Sequence, residues 1–158
     1  MNITFRYAEK EDCPLILEFI RKMGVYEKAI DRVFATEELL EEWMFEKKYG
    51  EAVFVLADGK EVGISVFNEG FSDYIGKGIL FIDELYVEEE YRGCGCGKAL
   101  LQKMAEITLE RGCGRLEWLC LDWNQSSYQF YQHMGATPLK ECTTFRVTGN
   151  ELNEMLKK

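Results

Sequence analysis

The chain has 158 residues, 47% of them apolar, and a formal net charge of −9 at pH 7. That length and apolar content support one domain with its own core, and the acidic balance argues against a nucleic-acid footprint while favouring basic partners. Met1-Asn2-Ile3-Thr4-Phe5-Arg6 lacks a basic region leading into an apolar run, and no later stretch approaches membrane-spanning length, so a cytoplasmic protein with no membrane partner is expected.

Ile3, Phe5 and Tyr7 alternate with polar residues, which predicts a strand. Asp12 and Pro14 announce a helix reaching Met23, with Leu15, Ile16, Phe19 and Ile20 on its apolar side. A loop follows at Tyr26-Glu27-Lys28. Thr36 suits a cap and Glu37 and Glu38 the positive end of a second helix, which carries Leu39, Leu40, Trp43 and Met44. Ala52–Ala57 and Val62–Phe67 flank Asp58-Gly59, a hairpin dipeptide.

Glu69 to Gly78 reads as a long polar-aromatic connection, and Ile79–Val87 as a strand able to cross the domain. The helix after the glycine-rich stretch is expected to bury Leu100, Leu101, Met104, Ala105 and Thr108 and to stop at Gly112. Leu116–Leu121 predicts another strand, Asn124 to Met134 a short helix closed by Gly135, and Phe145-Arg146-Val147 a last strand before a polar tail. Strands and helices alternate without repeats or a linker, so residues 1–158 are expected to form a single α/β domain.

Cys13, Cys94, Cys96, Cys113, Cys120 and Cys142 are expected to stay reduced, because a chain of this size without a signal peptide does not need disulfides. No Cys-x-x-Cys occurs and His133 is the only histidine, so neither a metal site nor a Ser-His-Asp site is expected.

The most informative stretch is Tyr91-Arg92-Gly93-Cys94-Gly95-Cys96-Gly97-Lys98, lying between a strand and an amphipathic helix. Its glycines permit close backbone approach, its N–H groups point at a helix start whose dipole favours negative charge, and Arg92 and Lys98 add fixed cations. A phosphate or pyrophosphate suits such a cradle; the alternative is a tight turn that merely uses glycine. A Walker loop ending at Gly97-Lys98 would need glycine in place of Arg92 and Ser or Thr in place of Ala99. The dinucleotide fingerprint would need its third glycine at Lys98. Arg-x-x-Gly-x-Gly, formed by Arg92, Gly95 and Gly97, does fit, and it resembles the pyrophosphate loop of the GNAT N-acetyltransferases, which grips acetyl-CoA.

A second cluster, Trp123-Asn124-Gln125-Ser126-Ser127-Tyr128-Gln129-Phe130-Tyr131, follows a predicted strand. Asn124 and Ser127 can bond backbone-like groups of a ligand, and Tyr131 can carry a hydroxyl to a reacting atom; the alternative is a helix cap and two packing aromatics. With Gly135-Ala136 following, the segment resembles the GNAT element whose asparagine contacts the pantetheine arm and whose tyrosine protonates the departing thiolate.

Together with Tyr26-Glu27 and Tyr74-Ile75-Gly76-Lys77, these stretches resemble the diamine N-acetyltransferases of spermidine/spermine or thialysine type over nearly the whole chain. The resemblance implies a GNAT-like fold with a mixed sheet of about six or seven strands and about four helices. It also implies acetyl-CoA as co-substrate, a small amine as acceptor and a homodimer. Gly93, Cys94, Gly95, Cys96, Gly97 and Lys98, with Arg92, would hold the diphosphate. Leu85, Tyr86, Val87, Asn124, Ser127 and Tyr131 would hold the rest of the cofactor. Two departures stand out. Asp83-Glu84 replaces the usual Glu-Asp order, shortening the inner carboxylate by one methylene, and Glu141-Cys142-Thr143-Thr144-Phe145 replaces a segment that usually supplies an acidic residue and a tryptophan.

Amide formation from an alkylamine of pKa ~10.4 requires a proton acceptor, for which Asp83 and Glu84 are the candidates. N–H groups near Leu85, Tyr86 and Val87 would hold the developing oxyanion, and Tyr131 would protonate a thiolate whose thiol has a pKa of ~8.5. Tyr26, Glu27, Asp73, Tyr74, Asp83 and Glu84 alternate carboxylates with aromatic faces, a pairing suited to the ammonium groups of a di- or polyamine. A non-catalytic acyl-CoA-binding module, or an enzyme acting on a peptide amine, is the competing reading.

Overall fold

The computed structural model describes residues 1–157, and the chain divides into two compact units, Met1–Leu119 and Cys120–Lys158. The first unit holds one mixed sheet in the order β1 (Ile3–Tyr7), β2 (Glu51–Ala57), β3 (Lys60–Ser72), β4 (Lys77–Val87) and β5 (Arg115–Trp118). Neighbours from β1 to β4 run antiparallel, and β5 joins β4 in parallel. The parallel join needs a crossover, which α3 (Cys96–Glu110) supplies.

The two faces of the sheet are buried by different helices. Along β2, Ala52 and Phe54 point one way and Val53 and Val55 the other, and all four are buried, so a helix must cover each side. Phe54, Ile64 and Tyr86 pack with Ile16 and Phe19 of α1 (Cys13–Tyr26) and with Met44. From α3, Leu100, Met104 and Ile107 are buried to 1% exposure or less. Pro14 begins α1, where its missing N–H costs nothing. Thr36 caps α2 (Glu37–Leu40) by accepting from the Leu39 N–H at 3.2 Å, and the helix continues as a wider π turn through Glu41–Glu46. At the far end of α3, Arg111 ties the helix to β2 and β3 through Glu51 and Glu69, at 2.9 and 2.6 Å.

Two irregularities shape the sheet where function is expected. Between β3 and β4, Val66 pairs with Glu84 and Phe67 with Ile82, so Asp83 is the extra residue of a β-bulge. Parallel pairing with β5 stops at Ile82, opposite Trp118. From Asp83 to Val87, β4 therefore has a strand partner only on its β3 side.

The second unit carries α4 (Gln125–His133) and α5 (Asn150–Met155). The sheet has five strands among the described residues, against the six or seven expected. Phe145-Arg146-Val147 forms no strand: Phe145 is 92% exposed, and three residues with no partner to pair with cannot hold extended structure. The polar tail instead forms α5, which raises the α-helix count above the expected four. Most of the predicted connection from Glu69 to Gly78 is strand, with only the turn between Ser72 and Lys77 left as loop. Ala105, expected on the buried side of α3, is exposed. No helix of the described residues is long and apolar enough to cross a membrane.

Candidate active site

The bulge at Asp83 separates two adjacent carboxylates. Leu80 and Ile82 pair with Glu69 and Phe67 on one face of the sheet, and the bulge carries Glu84, with Tyr86, onto the other, the face of Val66 and Ile64 beneath α1, so Glu84 is buried at 8% exposure while Asp83 faces out. The inner carboxylate is thus the longer of the pair, the reverse of the sequence-based expectation. The bulge that decides this comes from the pairing of β3 with β4, which no local period encodes. Among the described residues Glu84 Oε1 has no hydrogen-bond partner. Burial, reinforced by the charges of Asp83 and Glu27, pushes the Glu84 carboxyl up to about 8. Glu27, which caps the C-terminus of α1, is likewise raised, by burial and by Asp83. Among the described residues none of these three carboxylates carries an ion pair. A dry, acidic spot with an orphaned oxygen suits an incoming ammonium group.

Tyr26 is the last residue of α1 and Tyr86 the buried aromatic of β4. The Arg92 guanidinium lies over both rings, 4.7 Å from the Tyr26 centroid and 5.4 Å from that of Tyr86, and its Nε donates to the Val87 carbonyl at 2.9 Å. Sequence reasoning assigned Tyr86 only a backbone role; its ring also packs against Phe19 at 6.1 Å.

Below Arg92 the loop turns into α3. Gly95 precedes the helix at φ 93°, and a Cβ there would meet nothing within 4 Å. The ladder of α3 begins with the Ala99 N–H donating to Gly95 C=O at 2.9 Å, so the N–H groups of Cys96, Gly97 and Lys98 have no intrahelical acceptor. Cys94 and Lys98 are exposed beside them, whereas the Cys96 side chain is buried and its thiol is pushed up by that burial. Open space, unpaired N–H groups and a helix N-terminus form an anion cradle. The unpaired edge of β4 gives Leu85, Tyr86 and Val87 backbone groups not committed to β5.

Asp73 and Tyr74 are not brought to this place. They sit in the β3–β4 hairpin turn, with Tyr74 91% exposed, and the stretch of β4 from Lys77 to Glu84 spans about 23 Å. In the second unit, Asn124 caps α4 by accepting from the Ser127 N–H at 3.3 Å, and Tyr131 is half-buried with its ring 5.4 Å from that of Phe130.

A match to the Acetyltransferase (GNAT) family covers residues 16–136. The chain belongs to the GNAT acetyltransferase family. It is 32% identical to the thialysine N-epsilon-acetyltransferase of Bos taurus, over 99% of this chain and 98% of that one. It is 26% identical to an L-ornithine N5-acetyltransferase of Arabidopsis thaliana, over 99% of this chain and 89% of that one. Among solved structures, an integron cassette protein from the mobile metagenome of V. cholerae superimposes with a TM-score of 0.81 at 23% identity, covering 100% and 99% of the two chains.

GNAT acetyltransferases use acetyl-CoA as co-substrate, and this acetyltransferase has a cradle that fits its diphosphate. The open space at Gly95 and the three unpaired N–H groups of α3 accept an anion without rearrangement.

Proposed function

We propose that this acetyltransferase acts on a primary amine of a small di- or polyamine, by direct attack in a ternary complex, with residues 1–158 working as one domain. The observation that carries the reading is Glu84: buried, flanked by Asp83 and Glu27, with Oε1 unpartnered and none of the three carboxylates in an ion pair among the described residues. Two relatives are named for thialysine and L-ornithine, compounds with two amino groups, and this supports a diamine.

Acetyl-CoA supplies the acetyl group when bound. Backbone N–H groups from Gly93 to Lys98 hold its diphosphate, and N–H groups of Leu85, Tyr86 and Val87 stabilise charge on the carbonyl oxygen. Glu27 holds the far ammonium of the diamine. The near ammonium approaches Glu84, and its positive charge draws the carboxyl toward its ionised form. Glu84 then takes the proton that the amine must lose before it can attack, with Asp83 at the water-facing side of the same bulge. Tyr131 returns a proton to the departing sulfur, and Asn124 and Ser127 hold the pantetheine arm. Asp73 and Tyr74, separated from Glu84 by about 23 Å of strand, would serve an acceptor site in a second copy, in keeping with a homodimer.

Release of free CoA thiol with a panel of amines, with products identified by mass, tests the proposal. Putrescine is expected to be acetylated with a much higher kcat/KM than butylamine, and Glu27→Gln to raise KM for putrescine. Equal kcat/KM for the two amines, or indifference to Glu27→Gln, would refute the diamine assignment. Binding of acetyl-CoA with no turnover of any amine would favour a binding module instead.

A further inference from the structure

Arg92 begins the phosphate-binding loop, yet its side chain is spent on the acceptor side of the first unit. Its Nε hydrogen bond to Val87 C=O fixes the plane of the guanidinium at the end of β4. That plane lies within cation–π range of Tyr26 and of Tyr86. Tyr86 is 9% exposed and held by Phe19, so it is a fixed wall. Tyr26 is the last residue of α1, and Glu27, next to it, is the carboxylate whose charge is felt at Glu84. One planar cation thus joins the exit of β4, the interior wall and the terminus of the helix that carries Glu27.

We propose that Arg92 is a positioning residue for the acceptor amine: by stacking on Tyr26 it holds the C-terminal turn of α1, and with it Glu27, at the distance from Asp83 and Glu84 that a diamine requires. The inference rests on the diamine reading for its substrate and extends it to a residue outside the carboxylate cluster. Phosphate binding falls to the backbone N–H groups of the loop, which need no side chain. A lysine could keep the charge at this position, but it has neither the planar face that stacks on a ring nor the fixed Nε donor that reaches Val87.

The test compares Arg92→Gln, Arg92→Lys, Tyr26→Ala and the Arg92→Gln/Tyr26→Ala double variant. Their KM for putrescine is measured at saturating acetyl-CoA, and their Kd for acetyl-CoA by calorimetric titration. Arg92→Gln is expected to raise KM for putrescine about 10-fold or more while Kd for acetyl-CoA changes less than about 3-fold. Arg92→Lys is expected not to rescue, and the double variant to be no worse than the poorer single one, because both changes break the same contact. A loss of acetyl-CoA affinity of about 10-fold or more in Arg92→Gln, restored by Arg92→Lys, would show a phosphate ligand and overturn the proposal. Additive effects on KM would overturn it too, since they would separate Arg92 from Tyr26. If the wild-type protein acetylated no diamine, the substrate reading would fall, and the acetyl-CoA titration would still decide whether Arg92 is a phosphate ligand.

Discussion

Glu84 pairs with Val66 across β3 and β4, and the next pair, Ile82 with Phe67, leaves Asp83 outside the ladder. One extra residue therefore leaves one carboxylate in water and its neighbour inside, so burial raises the carboxyl of Glu84. Both the stability and the activity of the protein should report that difference.

The first expectation concerns stability. Glu84 keeps its proton to about 8 in the folded chain, against an ordinary value of 4.5. Between those values the folded state binds more protons than the unfolded one, so the Glu84 contribution is complete below pH 4.5 and is lost as pH rises to about 8. Glu84→Gln removes this titration at nearly constant shape. It should be more stable than the wild type at pH 8 by about 2–4 kcal/mol and about equal to it at pH 4.5. Urea unfolding across that range checks this, and a difference that does not change with pH would refute it.

The same proton sets an expectation for catalysis. If Glu84 accepts the amine proton, kcat/KM for putrescine should climb with pH along an acid limb ending near 8. In Glu84→Gln the limb should vanish and kcat should drop by about 10²-fold or more. Retention of the limb in the variant would assign it to another group.

Tyr131→Phe removes only a hydroxyl from α4. As proton donor to the departing thiolate, Tyr131 predicts a fall in kcat of about 10²-fold or more with little change in acetyl-CoA affinity. Steady-state rates and a calorimetric titration of the same preparation measure the two quantities, and an unchanged kcat would remove the tyrosine from the mechanism.

Gly95 and Gly112 both hold positive φ, at 93° and 66°, with open space where a Cβ would stand. Gly95→Val and Gly112→Val should therefore both lose stability through backbone strain, by about 1 kcal/mol or more. Only Gly95→Val should also weaken acetyl-CoA binding, by about 10-fold or more, because its side chain fills the cradle before α3. Thermal melts and calorimetry separate the two effects, and equal affinity losses would deny the loop its special role.

The amino-acid sequence by itself determined the features that depend on near neighbours in the chain. The Asp58-Gly59 hairpin, the Thr36 cap, Pro14 at the start of α1 and the glycine loop before α3 each follow from the torsions or hydrogen bonds of a few consecutive residues. The order of strands and helices, and the loop and carboxylates that make a candidate acetyltransferase, were legible for the same reason. The burial of Glu84 was not among these features, since it follows from the bulge at Asp83, which moves Glu84 from the face of Ile82 to that of Tyr86. What only the tertiary structure decided was set by pairing between distant segments. Whether Phe145-Arg146-Val147 is a strand depends on a partner edge, and none pairs with it among the described residues. Where Asp73 and Tyr74 lie depends on how far β3 and β4 extend as a hairpin. The site of the Arg92 guanidinium depends on α1 ending beside β4, a meeting of residues 26, 86 and 92 that no local period or spacing encodes.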